Sequence, residues 1–183
     1  MLSPRPSFPL EYWFFKVNAG RAALIVDWIT RRKLNEKVIR VSIHSPEKRE
    51  VLFEQRPDLL TPQAPSFLDA EHTAGRVGEV EWELNIELGD DRIAPQIFPA
   101  NQLRLPDMSL ASAPLAAFSG WIRHGAYRVE LKRVPGMVSH YWGRQLPREW
   151  WWVSANRFDQ EGVAVECTAL RSGAWGIPVG IPL

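Results

Sequence analysis

The sequence predicts an all-β protein of about nine or ten short antiparallel strands, arranged as a sandwich or a barrel. Three observations lead there. Apolar residues recur at every second position, most cleanly where Val80, Trp82, Leu84, Ile86 and Leu88 alternate with Glu81, Glu83, Asn85 and Glu87. Turn formers separate such segments at short intervals, among them Asn18-Ala-Gly-Arg, Gly89-Asp-Asp-Arg and the glycine at 125. No stretch sustains the helical period between them. Closure into a barrel would remove exposed strand edges and enclose an interior.

Residues 1–9 are rich in proline and predict an N-terminal arm, and residues 10–183 predict a single domain. Leu10 to Val17 reads as a strand; directing Lys16 to water sends Glu11, Trp13 and Phe15 inward. Arg21 to Thr30 follows a hairpin turn as a largely apolar strand. Its one acid, Asp27, sits beside Trp28 with both faces covered, so it is either paired or functional. Pointing inward, it would have its pKa raised by desolvation, as a proton donor requires. Arg31, Arg32 and Lys33 fall in the next turn and are read as solvated. From Lys37 to His44, Ile39, Val41 and Ile43 share one face, with His44 exposed at the strand end. Val51 to Glu54 is a short strand, residues 56–65 a proline-rich loop, and Ser66 to Glu71 a brief edge strand.

Residues 92–117 carry four prolines and no period, which predicts one long loop. It either covers one end of a pocket or packs on the surface. Phe118 to His124 and Ala126 to Arg133 are the arms of a hairpin, with Tyr127, Val129 and Leu131 inward. Pro135-Gly136 is expected to break the chain before a strand from Glu149 to Phe158. Gly162 to Leu170 is the last clear strand before an apolar tail rich in glycine and proline.

Composition narrows the function. A chain of 183 residues, 45% hydrophobic and 23% charged, can bury a real core. The net charge of +1 supplies no argument for nucleic acid or an anionic membrane as partner. The single cysteine, Cys167, excludes an internal disulfide, and no segment has the apolar length of a membrane helix. These features predict a soluble, cytoplasmic protein of unspecified oligomeric state.

The densest stretch of potential chemistry runs from Met137 to Phe158. It holds Trp142, Trp150, Trp151 and Trp152 of the nine tryptophans, together with His140, Ser154 and Asn156. Alternation puts Trp150, Trp152, Ser154, Asn156 and Phe158 on one face, and Glu149, Trp151, Val153, Ala155 and Arg157 toward solvent. The inward face is aromatic at one end and hydrogen-bonding at the other. It suits an apolar ligand needing a few polar contacts, or equally a wide aromatic core. Nucleotide loops and a serine-hydrolase elbow are absent, and His44, His72, His124 and His140 match no metal-ligand spacing. No cofactor and no metal are therefore expected. What remains is chemistry in a cavity, where an acid protonates an alkene and aromatic faces stabilise the resulting cation. Glu11, Asp27 and His140 are the candidate donors. Trp13, Trp28, Trp142, Trp150 and Trp152, with Ser154 and Asn156, are the candidate binding wall.

Three segments carry a resemblance: EYWFF at 11–15, SGWIRHGAYRVEL at 119–131 and HYWGRQLPREWWWVSANRFD at 140–159. Together they resemble the lipocalin-like superfamily that includes carotenoid hydratase (hydroxyneurosporene synthase), tocopherol cyclase, the AttH proteins and fungal Diels-Alder cyclases. The resemblance implies an antiparallel calycin-type, lipocalin-like β-barrel. It also implies cofactor-independent action on isoprenoid or other hydrophobic small molecules. Many members are longer and contain two such barrels, so this chain is either a compact single-barrel member or the first part of a longer protein. The expected activity is proton-initiated hydration, cyclisation or isomerisation of an isoprenoid- or polyketide-like molecule. The alternatives are a non-catalytic carrier with the same cavity and, below it, a carbohydrate-binding module with an exposed tryptophan platform.

Overall fold

Alternation of side chains decides where each strand sits. A computed structural model describes residues 7–55, 67–69, 71–89, 108–144, 149–160, 162–171 and 178–182. Its strands are β1 (Leu10–Ala19), β2 (Ala22–Arg31), β3 (Glu36–His44), β4 (Arg49–Gln55), β5 (Phe67–Leu68) and β6 (His72–Val77). β7 (Val80–Glu87), β8 (Met108–His124), β9 (Tyr127–Gly143), β10 (Glu149–Ala155), β11 (Val165–Arg171) and β12 (Pro178–Pro182) follow. Among the described residues the helical content is one 3-10 turn, Arg32–Leu34.

Nine strands form one antiparallel sheet in the order β4-β3-β2-β1-β9-β8-β7-β6-β5, and β10-β11-β12 form a second. The large sheet curls until its flanks meet at one end. There Ser45 Oγ and Glu50 Oε2 approach the two ring nitrogens of His124 at 3.1 and 3.2 Å. Leu52 of β4 likewise reaches the β6–β7 turn at Gly78. This is the lipocalin-like, all-β architecture the sequence predicts.

The concave face carries the core. Phe15, Trp28, Trp82 and Phe118 are almost wholly buried, with ring centroids 5.5–6.4 Å apart. Burying each such side chain contributes about 1.5–3 kcal/mol, so this cluster anchors the curl. Gly136 on β9 makes room for it, since the Phe118 ring lies where a Cβ would stand.

The small sheet packs on the opposite, convex face of β1, β8 and β9, and it does so through polar contacts. Asn156 Nδ2 donates to the carbonyls of Pro114 and Gly136 at 3.1 and 2.6 Å. Ser112 donates to Glu166 at 2.8 Å and shares a 2.9 Å bond with Ser139. Lys16 Nζ donates to the carbonyl and hydroxyl of Ser154 at 3.1 and 3.0 Å and lies 5.4 Å from the centre of a Trp152 ring.

Several expectations need correction. β8 begins at Met108, so residues 108–117 are strand and not the end of a long loop. From Ala111 to Ala117 the residues are buried or half-buried on both faces, so alternation disappears. Pro114 falls at a register shift between Ala113 and Ala116, where no ladder donor is needed. Pro135-Gly136 lies within β9 rather than ending it, and part of the tail forms β12. Lys16, sent to water in the sequence reading, is 6% exposed beneath the small sheet. The remainder of the expected loop, the 56–65 segment, most of the N-terminal arm and the side chain of Trp150 lie outside the described residues.

Candidate functional site

The register of four strands builds a small array on the concave face. Across β9, β1, β2 and β3, one row reads His140, Trp13, Trp28, Ile39 and the next reads Trp142, Glu11, Thr30, Lys37. The rows below are apolar: Val138, Phe15, Val26 and Val41, then Gly136, Val17, Leu24 and Ile43. Across these four strands polarity is thus confined to one end, above an aromatic and aliphatic floor.

Glu11 and His140 are both fully buried, with His140 Nε2 3.0 Å from Glu11 Oε1. Arg32 donates to the other carboxylate oxygen at 2.6 Å from a side chain 31% exposed. The turn holding Arg32 is itself tied to the start of β1, through the Phe8 and Pro9 carbonyls at 2.9 and 2.8 Å. The His140 ring lies between two indoles, its centroid 4.9 Å from Trp13 and 4.7 Å from Trp142. The arrangement is a buried carboxylate–imidazole pair, oriented by a guanidinium and walled by aromatic faces. It can hold a proton away from water.

Beside the pair stand three buried groups without a hydrogen-bond partner: Trp13 Nε1, Trp28 Nε1 and Thr30 Oγ1. Buried polar atoms are nearly always satisfied, so three together on one face are unusual. Elsewhere among the described residues a buried indole and a half-buried one are satisfied. Trp82 Nε1 donates to Thr73 at 3.1 Å and Trp152 Nε1 to Glu166 at 2.9 Å.

The sequence-derived candidates are divided by the sheet. Glu11, Trp13, Trp28, His140 and Trp142 come together on the concave side. Asp27 points to the convex side of the large sheet, the side on which Trp152, Ser154 and Asn156 also lie. The expectation that the tryptophan-rich strand faces the same interior as His140 is therefore corrected: Trp152, Ser154 and Asn156 meet the back of the large sheet, and Phe158, also expected inward, is 44% exposed. Trp151 and Val153 are 56% and 62% exposed, on the face assigned to solvent.

Asp27 is fully buried in a network of its own, accepting from Tyr12 OH at 2.5 Å and paired with Arg40, which also donates to Tyr12 at 3.0 Å. Burial raises its pKa and outweighs the Arg40 guanidinium and the bonds from Arg40 and Tyr12, which pull the other way. The Tyr12 hydroxyl is pushed well above its ordinary value by burial and by the Asp27 charge, so it remains a donor.

Sequence reasoning missed Arg32 and Thr30. The signal for both was present: a β1–β2 hairpin at Asn18–Arg21 puts the far end of β2 beside the start of β1, and thus beside Glu11. It missed His124 too, which is buried against residues distant in sequence. Among the described residues no three His, Cys, Asp or Glu side chains converge as metal ligands, and no helix is long and apolar enough to cross a membrane.

Comparison with known proteins agrees with this architecture. The profile of the tocopherol cyclase-like family matches residues 103–178, which is less than half of the chain. A Nitrosomonas europaea protein described as an AttH superposes with a TM-score of 0.69 at 12% identity, covering 96% of this chain and 64% of its own. Kievitone hydratase from Nectria haematococca superposes with a TM-score of 0.66 at 7% identity, covering 97% and 61%. The chain spans under two thirds of the length of either. In fold over nearly its whole length, and in sequence over residues 103–178, the chain resembles the lipocalin-like superfamily of tocopherol cyclase-like and AttH proteins.

Proposed function

We propose that this protein binds a hydrophobic isoprenoid- or polyketide-like molecule on its concave face and converts it by proton transfer to a carbon–carbon double bond. The observation that carries the reading is the buried Glu11–His140 pair between Trp13 and Trp142. Protonation of an alkene by the pair leaves a carbocation, which the flanking indole faces stabilise through their negative quadrupole. Capture by water gives an alcohol; capture by a hydroxyl of the same molecule closes a ring. In both cases the nucleophile loses its proton to the pair, so the protein ends as it began and no cofactor enters the balance. Arg32 holds Glu11 in place, and the apolar rows beneath take up the hydrocarbon chain. Among the similar proteins, one is named a hydratase and one family cyclase-like, which adds support to these two outcomes. Asp27 stays outside this scheme, because it sits on the other side of β2.

The test is incubation of purified protein in D2O with a panel of isoprenoid alcohols and prenylated phenols, read by mass spectrometry. Deuterium at carbon together with added water, or in an isomer of unchanged composition, is the expected result. It is lost in His140→Ala and Glu11→Gln. A ligand that binds and is recovered without deuterium would replace catalysis with carriage.

A further inference from the structure

We infer that the concave site selects molecules carrying an acceptor oxygen, held by the indole N–H groups of Trp13 and Trp28 and the hydroxyl of Thr30, and discriminates against pure hydrocarbons. The inference rests on the proposed use of this face for a hydrophobic ligand and narrows the class of that ligand. Trp13 and Trp28 are direct cross-strand partners, and Thr30 stands opposite Glu11 in the adjoining row. All three residues therefore share one face within two positions of each other along β1 and β2. They are 4%, 0% and 5% exposed, and none of their three donor atoms has a partner.

A buried donor left unpaired is costly, and a fold that satisfies the indoles of Trp82 and Trp152 has the means to satisfy others. An ether, hydroxyl or carbonyl oxygen placed between Trp13 and Trp28 would pair at least one of them. An indole nitrogen donates only, so the ligand atom has to accept. The position also suits the chemistry. His140 lies beside Trp13 on the side away from Trp28, so an oxygen bound at the indoles sits one strand from the proton source. A hydrocarbon of the same length fills the apolar rows equally well and leaves the donors unpaired. Sites built to hydrogen-bond a ligand reject its apolar analogue for this reason.

The experiment compares three probes of one chain length, farnesol, farnesyl methyl ether and farnesene, by displacement of a bound fluorescent naphthalene sulfonate. Wild-type protein is expected to bind the alcohol and the ether alike, each about tenfold more tightly than the hydrocarbon. In the Trp13→Phe/Trp28→Phe double variant, which keeps the aromatic volume, the ratio of ether to hydrocarbon affinity falls most of the way to one, the remainder being the share of Thr30. Thr30→Val, close to isosteric, provides a second reading should the double variant fail to fold, and lowers the ratio partway. Equal binding of ether and hydrocarbon by wild type overturns the inference and leaves the proposed function standing. So does an undiminished preference in the variants. Failure of all three probes to bind overturns both.

Discussion

Replacing Gly136 with alanine tests the packing on which the concave array depends. Gly136 sits in β9 between Val17 of β1 and Ala116 of β8, so a paired strand flanks its backbone on each side. A Cβ built there would fall within 2.6 Å of Phe118 Cδ2, and closer still to Phe118 Cε2 and the Lys16 carbonyl oxygen. Ordinary contact begins near 3.4 Å. The ring can tilt, but the carbonyl cannot retreat without parting β1 from β9. The cost should therefore reach the upper end of the overpacking range, about 3 kcal/mol. In a chain of this size that lowers Tm by roughly 6–12 °C. Gly162→Ala is the control, with φ +75° and nothing within 4 Å of the new Cβ. It carries only left-handed strain of about 1 kcal/mol. Adding Phe118→Leu to Gly136→Ala should recover about 1 kcal/mol in a double-mutant cycle, the share due to the ring, and no more. The measurements are thermal melts and urea titrations followed by far-ultraviolet circular dichroism. A Gly136→Ala protein melting within about 2 °C of wild type, a shift worth under 1 kcal/mol, would refute the argument from close approach.

Three further outcomes follow from the same contacts. Glu11→Gln removes the charge shared by His140 and Arg32, but Arg32 is exposed enough to rehydrate, so stability should fall by only about 1 kcal/mol while the rate of the proposed proton transfer drops about 10²–10⁴-fold. Parallel losses of stability and turnover would make the pair structural. Asp27 binds its proton more readily folded than unfolded, so its contribution to stability is complete below the ordinary aspartate range and lost as pH rises through the elevated value. Urea midpoints of Asp27→Asn between pH 4 and 7 should lack that decline, and an unchanged profile would assign it to another group. Asn156→Leu removes the donor to Pro114 and Gly136 and should cost about 2–3 kcal/mol, read as faster amide exchange in β10 and β11 than in β1 and β9. Uniform exchange across both sheets would contradict it.

Much of this fold was legible because a half-buried strand has a single apolar face. Val80, Trp82, Leu84 and Ile86 are buried, and Glu83, Asn85 and Glu87 are exposed, as alternation requires. Glu11, Trp13 and Phe15 were rightly placed together, though for an incomplete reason. Lys16 does oppose them, yet it lies under a second sheet and not in water; burial lowers its pKa, with Glu166 opposing. Parity tells which residues of a strand travel together. It does not tell which of two covered surfaces they meet, and Trp152, Ser154 and Asn156 were assigned to the wrong one for that reason. Asp27 was correctly narrowed to paired or functional, and its partners Tyr12 and Arg40 could not be named until the β1–β2–β3 register was known. His124 was illegible in principle: Ser45 and Glu50 reach it only because the sheet curls.

β1 serves two masters. Its odd-numbered side chains furnish the concave array of Glu11, Trp13 and Phe15, and its even-numbered ones, Phe14 and Lys16, furnish the seat for the outer sheet. Inserting or deleting one residue early in this strand would exchange the two faces at a stroke, offering a leucine or a tyrosine where Glu11 stands and a phenylalanine or a valine where Lys16 meets Ser154. Length along this segment is thus more tightly constrained than the identity of any one residue in it.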